Sequence, residues 1–225
     1  MFFAIKKFIL DLVFPVCCTG CGQEGEWFCK NCAGAIRLNE VQFCPVCWRE
    51  SPEGKVCENC DSPLTGLRAA ASYKKNPELA KAVKTFKYKF SENLARNLGG
   101  LLIHDFFLDL DAVIVPIPLH KKRLRWRGFN QAELLAREVG KNLDLPVTSL
   151  LKRVKNTSQQ AKLSRQERLQ NLTQAFEFDS DIDLAGKTVI LVDDIASTGT
   201  TLIEAAKVLR AAGAAQVWGL VLARG

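Results

Sequence analysis

No cysteine follows Cys60, no Gly-x4-Gly-Lys-[Ser/Thr] string occurs anywhere, and charge interrupts the apolar opening of the chain. The first absence confines all nine cysteines to Cys17–Cys60 and marks a compositional boundary near Ser62-Pro63. The second excludes a P-loop nucleotidase, whose lysine has to reach the β- and γ-phosphates. The third concerns Met1–Phe14, where Lys6, Lys7 and Asp11 leave too short a run for the roughly 20 apolar residues of a spanning helix. This segment also lacks the small-x-small cleavage site of a secretory leader and runs into Phe14-Pro15-Val16-Cys17. Phe2, Ile5, Phe8, Ile9 and Leu12 recur at helical spacing, so a packed amphipathic helix is expected here, not a membrane anchor and not a transmembrane segment. The expected location is the cytoplasm, whose reducing conditions disfavour disulfides and call for another account of the cysteines.

There is no low-complexity tract either, and a composition of 48% hydrophobic and 24% charged residues is that of a chain that folds. Two unequal domains are expected: 1–62, an N-terminal helix and a cysteine-rich module, and 63–225, a larger domain. Lys and Arg outnumber Asp and Glu by 31 to 24, a net charge of +7 that favours anionic partners such as phosphorylated metabolites or nucleic acid. Beyond the boundary come a β-prone stretch at Leu67–Tyr73, a turn at Asn76-Pro77 and a helical pattern from Glu78 to about Phe107. Ala112–Val115, Thr188–Val192 and Gln216–Leu222 read as buried strands, separated by helical segments such as Asn130–Lys141 and Thr201–Ala212, with Gly213 placed for a left-handed cap. Such alternation predicts an α/β fold with a parallel sheet.

Eight cysteines form four Cys-x2-Cys pairs, Cys18/Cys21, Cys29/Cys32, Cys44/Cys47 and Cys57/Cys60, with Cys17 left over. Each pair puts two thiolates on one tight turn, and two facing turns supply the tetrahedral sulfur set that zinc prefers. Seven residues separate the first two pairs, nine the last two, and eleven lie between the halves. Consecutive pairing closes the smaller loops, so one structural zinc is expected on Cys18, Cys21, Cys29 and Cys32 and another on Cys44, Cys47, Cys57 and Cys60. An iron–sulfur cluster, a disulfide framework and a cross-braced arrangement are the alternatives for the same ligands, and Cys17 leaves a Cys17/Cys21 ligation open.

Val189–Leu202 carries the sharpest signal: four apolar residues, then Asp193-Asp194, then Ile195-Ala196-Ser197-Thr198-Gly199-Thr200-Thr201 leading into a helix. Ligands of α/β sheets bind beyond the strand ends. There, the amides of a Ser/Thr/Gly turn and the positive end of a helix cradle a phosphate, while carboxylates accept bonds from hydroxyls. Ile195 stands where a phosphoaspartate phosphatase would need its second aspartate. The segment resembles the fingerprint of the type I phosphoribosyltransferases. That resemblance implies that Asp193 and Asp194 bind the ribose hydroxyls of 5-phosphoribosyl-1-pyrophosphate and that Ala196, Ser197, Thr198, Gly199, Thr200 and Thr201 wrap its 5-phosphate.

The strand Ala112–Val115 ends in Pro116-Ile117-Pro118-Leu119-His120, followed by five basic residues within the seven of Lys121–Arg127. This reads either as a solvated cationic turn or as a pyrophosphate loop of Ile117, Pro118, Leu119 and His120, in which a rigid Pro-x-Pro turn holds backbone amides toward the pyrophosphate beneath Arg125 or Arg127. His120 is a candidate general acid or simply a solvated histidine. The polar excursion Lys155–Thr173 has the position of a lid, with Arg165 and Arg168 able to bring charge to a leaving group. Lys81, Lys84, Lys87 and Lys89, interleaved with Phe86, Tyr88 and Phe90, fit either phosphate contacts and base stacking or a solvated face over a core.

The four-pair module, Phe14-Pro15, Arg127-Gly128-Phe129-Asn130-Gln131, and Gln160…Leu163…Arg168…Asn171…Ala175-Phe176 together resemble the ComF (ComFC) family of competence-associated phosphoribosyltransferase-like proteins. The resemblance implies a type I phosphoribosyltransferase-like domain behind a double zinc ribbon, binding phosphoribosyl pyrophosphate with magnesium and taking part in DNA uptake. Two kinds of function follow from it. One is a phosphoribosyltransferase; the other is a sensor or binding protein that holds single-stranded DNA or a DNA-uptake helicase.

Overall fold

The structure is a computed structural model that describes residues 15–104, 111–155 and 174–225. Strands β1 (Gly66–Ser72), β2 (Ala112–Pro116), β5 (Thr188–Ala196) and β6 (Gln216–Arg224) form one sheet. They lie in the order β1-β6-β5-β2 and every pairing is parallel, as the alternating pattern predicts. Ile114, Ile190 and Val192 point to one face, and Val113, Val115, Val189 and Leu191 to the other. Burial on both faces is why these strands read as continuous apolar runs.

After the short helix α1 (Lys30–Gly34) of the cysteine module, helices α2 (Pro77–Phe86), α3 (Glu92–Leu102) and α5 (Gln131–Leu143) cover the first sheet face with Leu79, Phe86, Leu98, Leu135 and Val139. Helix α6 (Thr200–Ala211) covers the second, beside the antiparallel hairpin of β3 (Leu151–Arg153) and β4 (Phe176–Phe178). The single helical stretch expected from Glu78 is two helices within the described residues. Lys87–Phe90 interrupts it, and the Ser91 side chain accepts from Leu94 N at 3.2 Å to start α3. The basic run is also not a turn: Lys121–Arg127 is helix α4, capped by His120 and closed by left-handed Gly128 at φ 82°.

Both sheet edges are covered, which removes the hazard of unpaired strand edges. At β1 the Gln42 side chain accepts from Ala69 N at 3.1 Å and donates to Ala69 O at 3.2 Å, imitating a neighbouring strand. Asn39 N adds a bond to Ala70 O at 2.8 Å. At β2, Ile114 N donates to Pro146 O and Ile114 O accepts from Thr148 N, each at 2.9 Å. The cysteine module is also part of the core, since Phe28, Cys32 and Ile36 sit in one buried cluster with Leu79, Phe86 and Leu94. Asn76 fastens the two, accepting from Arg37 N at 2.8 Å and donating to Arg37 O at 3.1 Å and Ser72 O at 2.9 Å. Among the described residues no helix is long and apolar enough to cross a membrane. Met1–Phe14 and the lid arginines Arg165 and Arg168 lie outside the described residues.

Candidate functional site

The eight paired cysteines gather into two quartets, Cys18/Cys21/Cys29/Cys32 and Cys44/Cys47/Cys57/Cys60, with the sulfurs of each within 4.8 Å of one another. This is the consecutive pairing. Cys21 and Cys29 Sγ are 3.7 Å apart, and Cys47 and Cys57 Sγ 3.6 Å. A tetrahedron with zinc–sulfur bonds of about 2.3 Å has edges of about 3.8 Å. Cys17 stays outside, its thiol donating to Pro15 O at 3.5 Å.

The thiols also divide electrostatically. Burial resists charge on Cys18, but the backbone N–H groups of Cys21, Cys29 and Gly20 outweigh it and bring the thiol down to about 6. Burial, then hydrogen bonds among the sulfurs, pushes Cys32 up to about 12. In the second quartet the Arg49 side chain and backbone lower Cys47 to about 6, whereas Cys57 beside it, together with burial, raises Cys60 to about 12. Zinc binds all four sulfurs of a quartet as thiolates, so its binding is tied to release of their protons. Four thiolates leave no open position, so the zinc is structural.

The phosphate-type corner sits at the C-terminal edge of the sheet. There β5 delivers Asp193 and Asp194, and β2, its neighbour, ends in Pro116. Ile117 N donates to Val192 O at 2.9 Å, so the loops after both strands leave side by side. Gly199 adopts φ 73°, a left-handed conformation glycine takes freely, and N-caps α6 with no side-chain bond. Ser91 and Asn130 do cap their helices by side chain. The first-turn amides of α6 are therefore offered, with the positive helix end, to an anion in the turn Ser197–Thr201. Thr198 and Thr200 hydroxyls meet over this turn at 2.8 Å.

The two acids are not equivalent. Asp194 is buried, with Oδ2 3.1 Å from Lys87 Nζ and 3.4 Å from Gln131 Nε2. Burial works against the charge of Lys87, but Asp194 outweighs it and raises the lysine above its ordinary value. Gln131 in turn accepts from Arg127. Asp193 is half-buried, and its Oδ1 accepts from Asp194 N at 2.8 Å. Burial, then the neighbouring Asp194 charge, pushes its carboxyl up to about 7.

Around this pair stand cations. Arg127 is half-buried with its Nε unpartnered among the described residues, and burial lowers its pKa. Arg125 projects from α4 into solvent. His120 Nδ1 accepts from Lys122 N at 3.3 Å, and desolvation, then Lys122, Arg153, Arg123 and Arg125, lower the imidazole's pKa. Pro118 and Leu119 complete the loop, which Asn130 fastens by donating to Ile117 O at 3.1 Å.

Three residues of the cluster were not singled out for it by sequence reasoning. Lys87 was one lysine in a basic stretch, and its signal is the helix break that Ser91 imposes. Gln131 belongs to Arg127-Gly128-Phe129-Asn130-Gln131, a string that now has parts: Gly128 closes α4, Asn130 caps α5, and Gln131 links Arg127 to Asp194. Arg153 is a buried cation on β3 whose charge acts on Asp193. Its signal was alternation, Leu151 and Arg153 inward with Lys152 outward.

Residues 127–225 match the phosphoribosyl transferase domain and residues 9–61 the double zinc ribbon domain. A phosphoribosyltransferase-type α/β domain behind a double zinc ribbon is therefore the class of this protein. Competence protein F of Haemophilus influenzae is 33% identical over 221 residues, covering 87% of this chain and 96% of that protein. DNA utilization protein YhgH of Salmonella typhimurium is 32% identical (93% and 98% covered), and competence protein ComFC of Bacillus subtilis 31% (90% and 86%). The chain belongs to the ComF family.

Proposed function

We propose that this protein binds 5-phosphoribosyl-1-pyrophosphate with magnesium, transfers its phosphoribosyl group to a nucleophile, and serves the uptake or use of DNA. The observation that carries the first part is the placing of two phosphate-suited loops on adjacent parallel strands with an acid pair between them. In this reading Asp193 and Asp194 accept from the ribose hydroxyls, with Asp194 shared with Lys87, and Ala196–Thr201 takes the 5-phosphate. The loop Ile117–His120, together with Arg125 and Arg127, takes the pyrophosphate. Magnesium keeps most of its waters and needs only one or two carboxylates besides phosphate oxygens, a demand Asp193 fits, and it would offset the diphosphate's charge. The chain contributes positioning and fixed charge, which suffice for much of a displacement at C1. The DNA part is supported by the names of its relatives.

A pH series tests the ribose assignment. Ribose hydroxyls and magnesium both need Asp193 ionised, and its carboxyl is raised to about 7. Affinity should therefore strengthen as pH rises through that value, and Asp193→Asn should lose the step. The second ionisation of the ligand's phosphate, near ~6, should persist in the variant. Identical pH profiles for the two proteins would contradict the assignment.

A specific surface favours single-stranded nucleic acid as a partner as well. Phe86 is core, but Tyr88, Phe90 and Trp126 are 57%, 60% and 70% exposed, and Tyr88 packs edge-on against Trp126 at 5.8 Å. Lys89, Lys121, Lys122 and Arg125 lie close by in the chain. Base stacking contributes about 1–3 kcal/mol per aromatic contact. Trp126→Ala should therefore weaken binding of a thymidine oligomer about tenfold, and wild-type binding should fall steeply with salt. Undiminished binding by the variant would exclude this surface.

A further inference from the structure

The second zinc knuckle breaks a rule that the first one obeys. Cys21 is followed by Gly22 at φ 79°, and Cys47 by Trp48 at φ 67°. The chain needs the left-handed region after the second cysteine in both places. Glycine enters it at no steric cost, whereas a bulky aromatic residue is an outlier there. Strain of this kind persists where the surroundings hold it and clusters at functional sites.

Trp48 lines a cavity of about 270 Å³ together with Phe43, Leu67, Ala69, Lys74 and Arg224. The Arg224 guanidinium lies over the indole, 3.4 Å from its centroid, and donates to Phe43 O at 3.2 Å and Cys44 O at 3.3 Å, which fixes it in place. The cavity adjoins the phosphate-type turn. Gly225, in its wall, donates from its backbone to Ala196 O at 3.2 Å, and a Cβ on Gly199 would meet Pro45 O at 3.9 Å. It reaches the C-terminal ends of β1 and β6, where Ser72 and Arg224 sit, the side of a parallel sheet on which ligands bind. Its lining holds two aromatic rings, Phe43 and Trp48, and two cations, Lys74 and Arg224.

We propose that this cavity is the acceptor subsite and that it takes a planar aromatic ring carrying an anionic group, which meets the charges of Lys74 and of the Arg224 guanidinium that Trp48 holds in place. The proposal rests on the reading of the adjoining corner as a phosphoribosyl pyrophosphate site. A nitrogen of the acceptor forms the bond to C1 as the C1–oxygen bond to pyrophosphate breaks. Pyrophosphate departs with that electron pair and takes up the proton released by the nitrogen. The second zinc thereby holds the knuckle that forms one side of the acceptor pocket, while the acid pair and the phosphate turn hold the donor.

The probe is 2-aminobenzoate, whose own fluorescence reports binding to the full-length zinc-loaded protein, with neutral 2-aminobenzamide as its control. Wild type should bind the acid at least about tenfold more tightly than the amide. Trp48→Gly supplies the residue that the left-handed turn favours, so its zinc content and Tm should be kept or raised while affinity for the acid falls about tenfold or more. Lys74→Met should narrow the gap between acid and amide. Absence of binding to wild type, equal binding of acid and amide, or undiminished binding by Trp48→Gly would each overturn the proposal. Phosphoribosyl pyrophosphate is titrated separately into the same proteins. Its failure to bind wild type would sink the corner reading, whereas loss of the aminobenzoate signal alone sinks only the acceptor pocket.

Discussion

Chelation of zinc is expected to unfold far more than the ribbon. Structural zinc in small modules contributes folding free energy of about 10–16 kcal/mol, and the ribbon here is not a detachable appendage. Phe28, Cys32 and Ile36 are buried among the helices of the larger domain, and Gln42 and Asn39 serve as the missing neighbour of β1. Losing the metals therefore exposes a core face and a sheet edge together. With native stabilities of about 5–15 kcal/mol, the chelated protein should lose near-UV circular dichroism and amide protection in β1, α2 and α3 as well as in the ribbon. Protection lost only in residues 15–61 would show that the larger domain stands alone.

The acid pair should separate binding from stability. Asp193 has a carboxyl raised to about 7, so its ionisation costs the folded state stability that is lost progressively as pH rises from the ordinary carboxylate value to about 7, and Asp193→Asn removes the cost. The variant should gain on wild type progressively as pH rises from about 4 to 7 and keep a constant gain above that, and no such gain should appear below about pH 4. Its affinity for phosphoribosyl pyrophosphate should nonetheless fall between about tenfold and a hundredfold, since hydrogen bonds to a charged group contribute about 1.5–3 kcal/mol. Asp194→Asn should behave in the opposite sense. It strips Lys87 of its ion pair, and because Lys87 is 30% exposed the loss is smaller than for a fully buried pair, about 1–3 kcal/mol. Thermal melts across pH distinguish the two. A destabilised Asp193→Asn with a stable Asp194→Asn would invert the roles assigned to them.

Much of this was legible in the sequence because local rules carry it. The parallel strands announce themselves as apolar runs, the quartets by Cys-x2-Cys spacing, and the corner by Asp193-Asp194 before a glycine-bearing turn. What was not legible depends on distance in the chain. Nothing local says that Lys87 reaches Asp194, 107 positions later, or that Gln42 substitutes for a strand at β1. The helix α4 was hidden because a dense basic run looks like a solvated turn, and the cap by His120 with left-handed Gly128 is a feature of backbone geometry. Trp48 drew no attention for the same reason, since only a dihedral angle shows that it occupies a glycine's place.

The central claim is that the strand-to-helix corner grips a sugar phosphate through Asp193. Calorimetric titration of phosphoribosyl pyrophosphate with magnesium into wild type and Asp193→Asn tests it directly. Saturable binding by wild type that weakens at least about tenfold in an equally folded variant is the predicted result; equal binding by both proteins, or none by wild type, would contradict it.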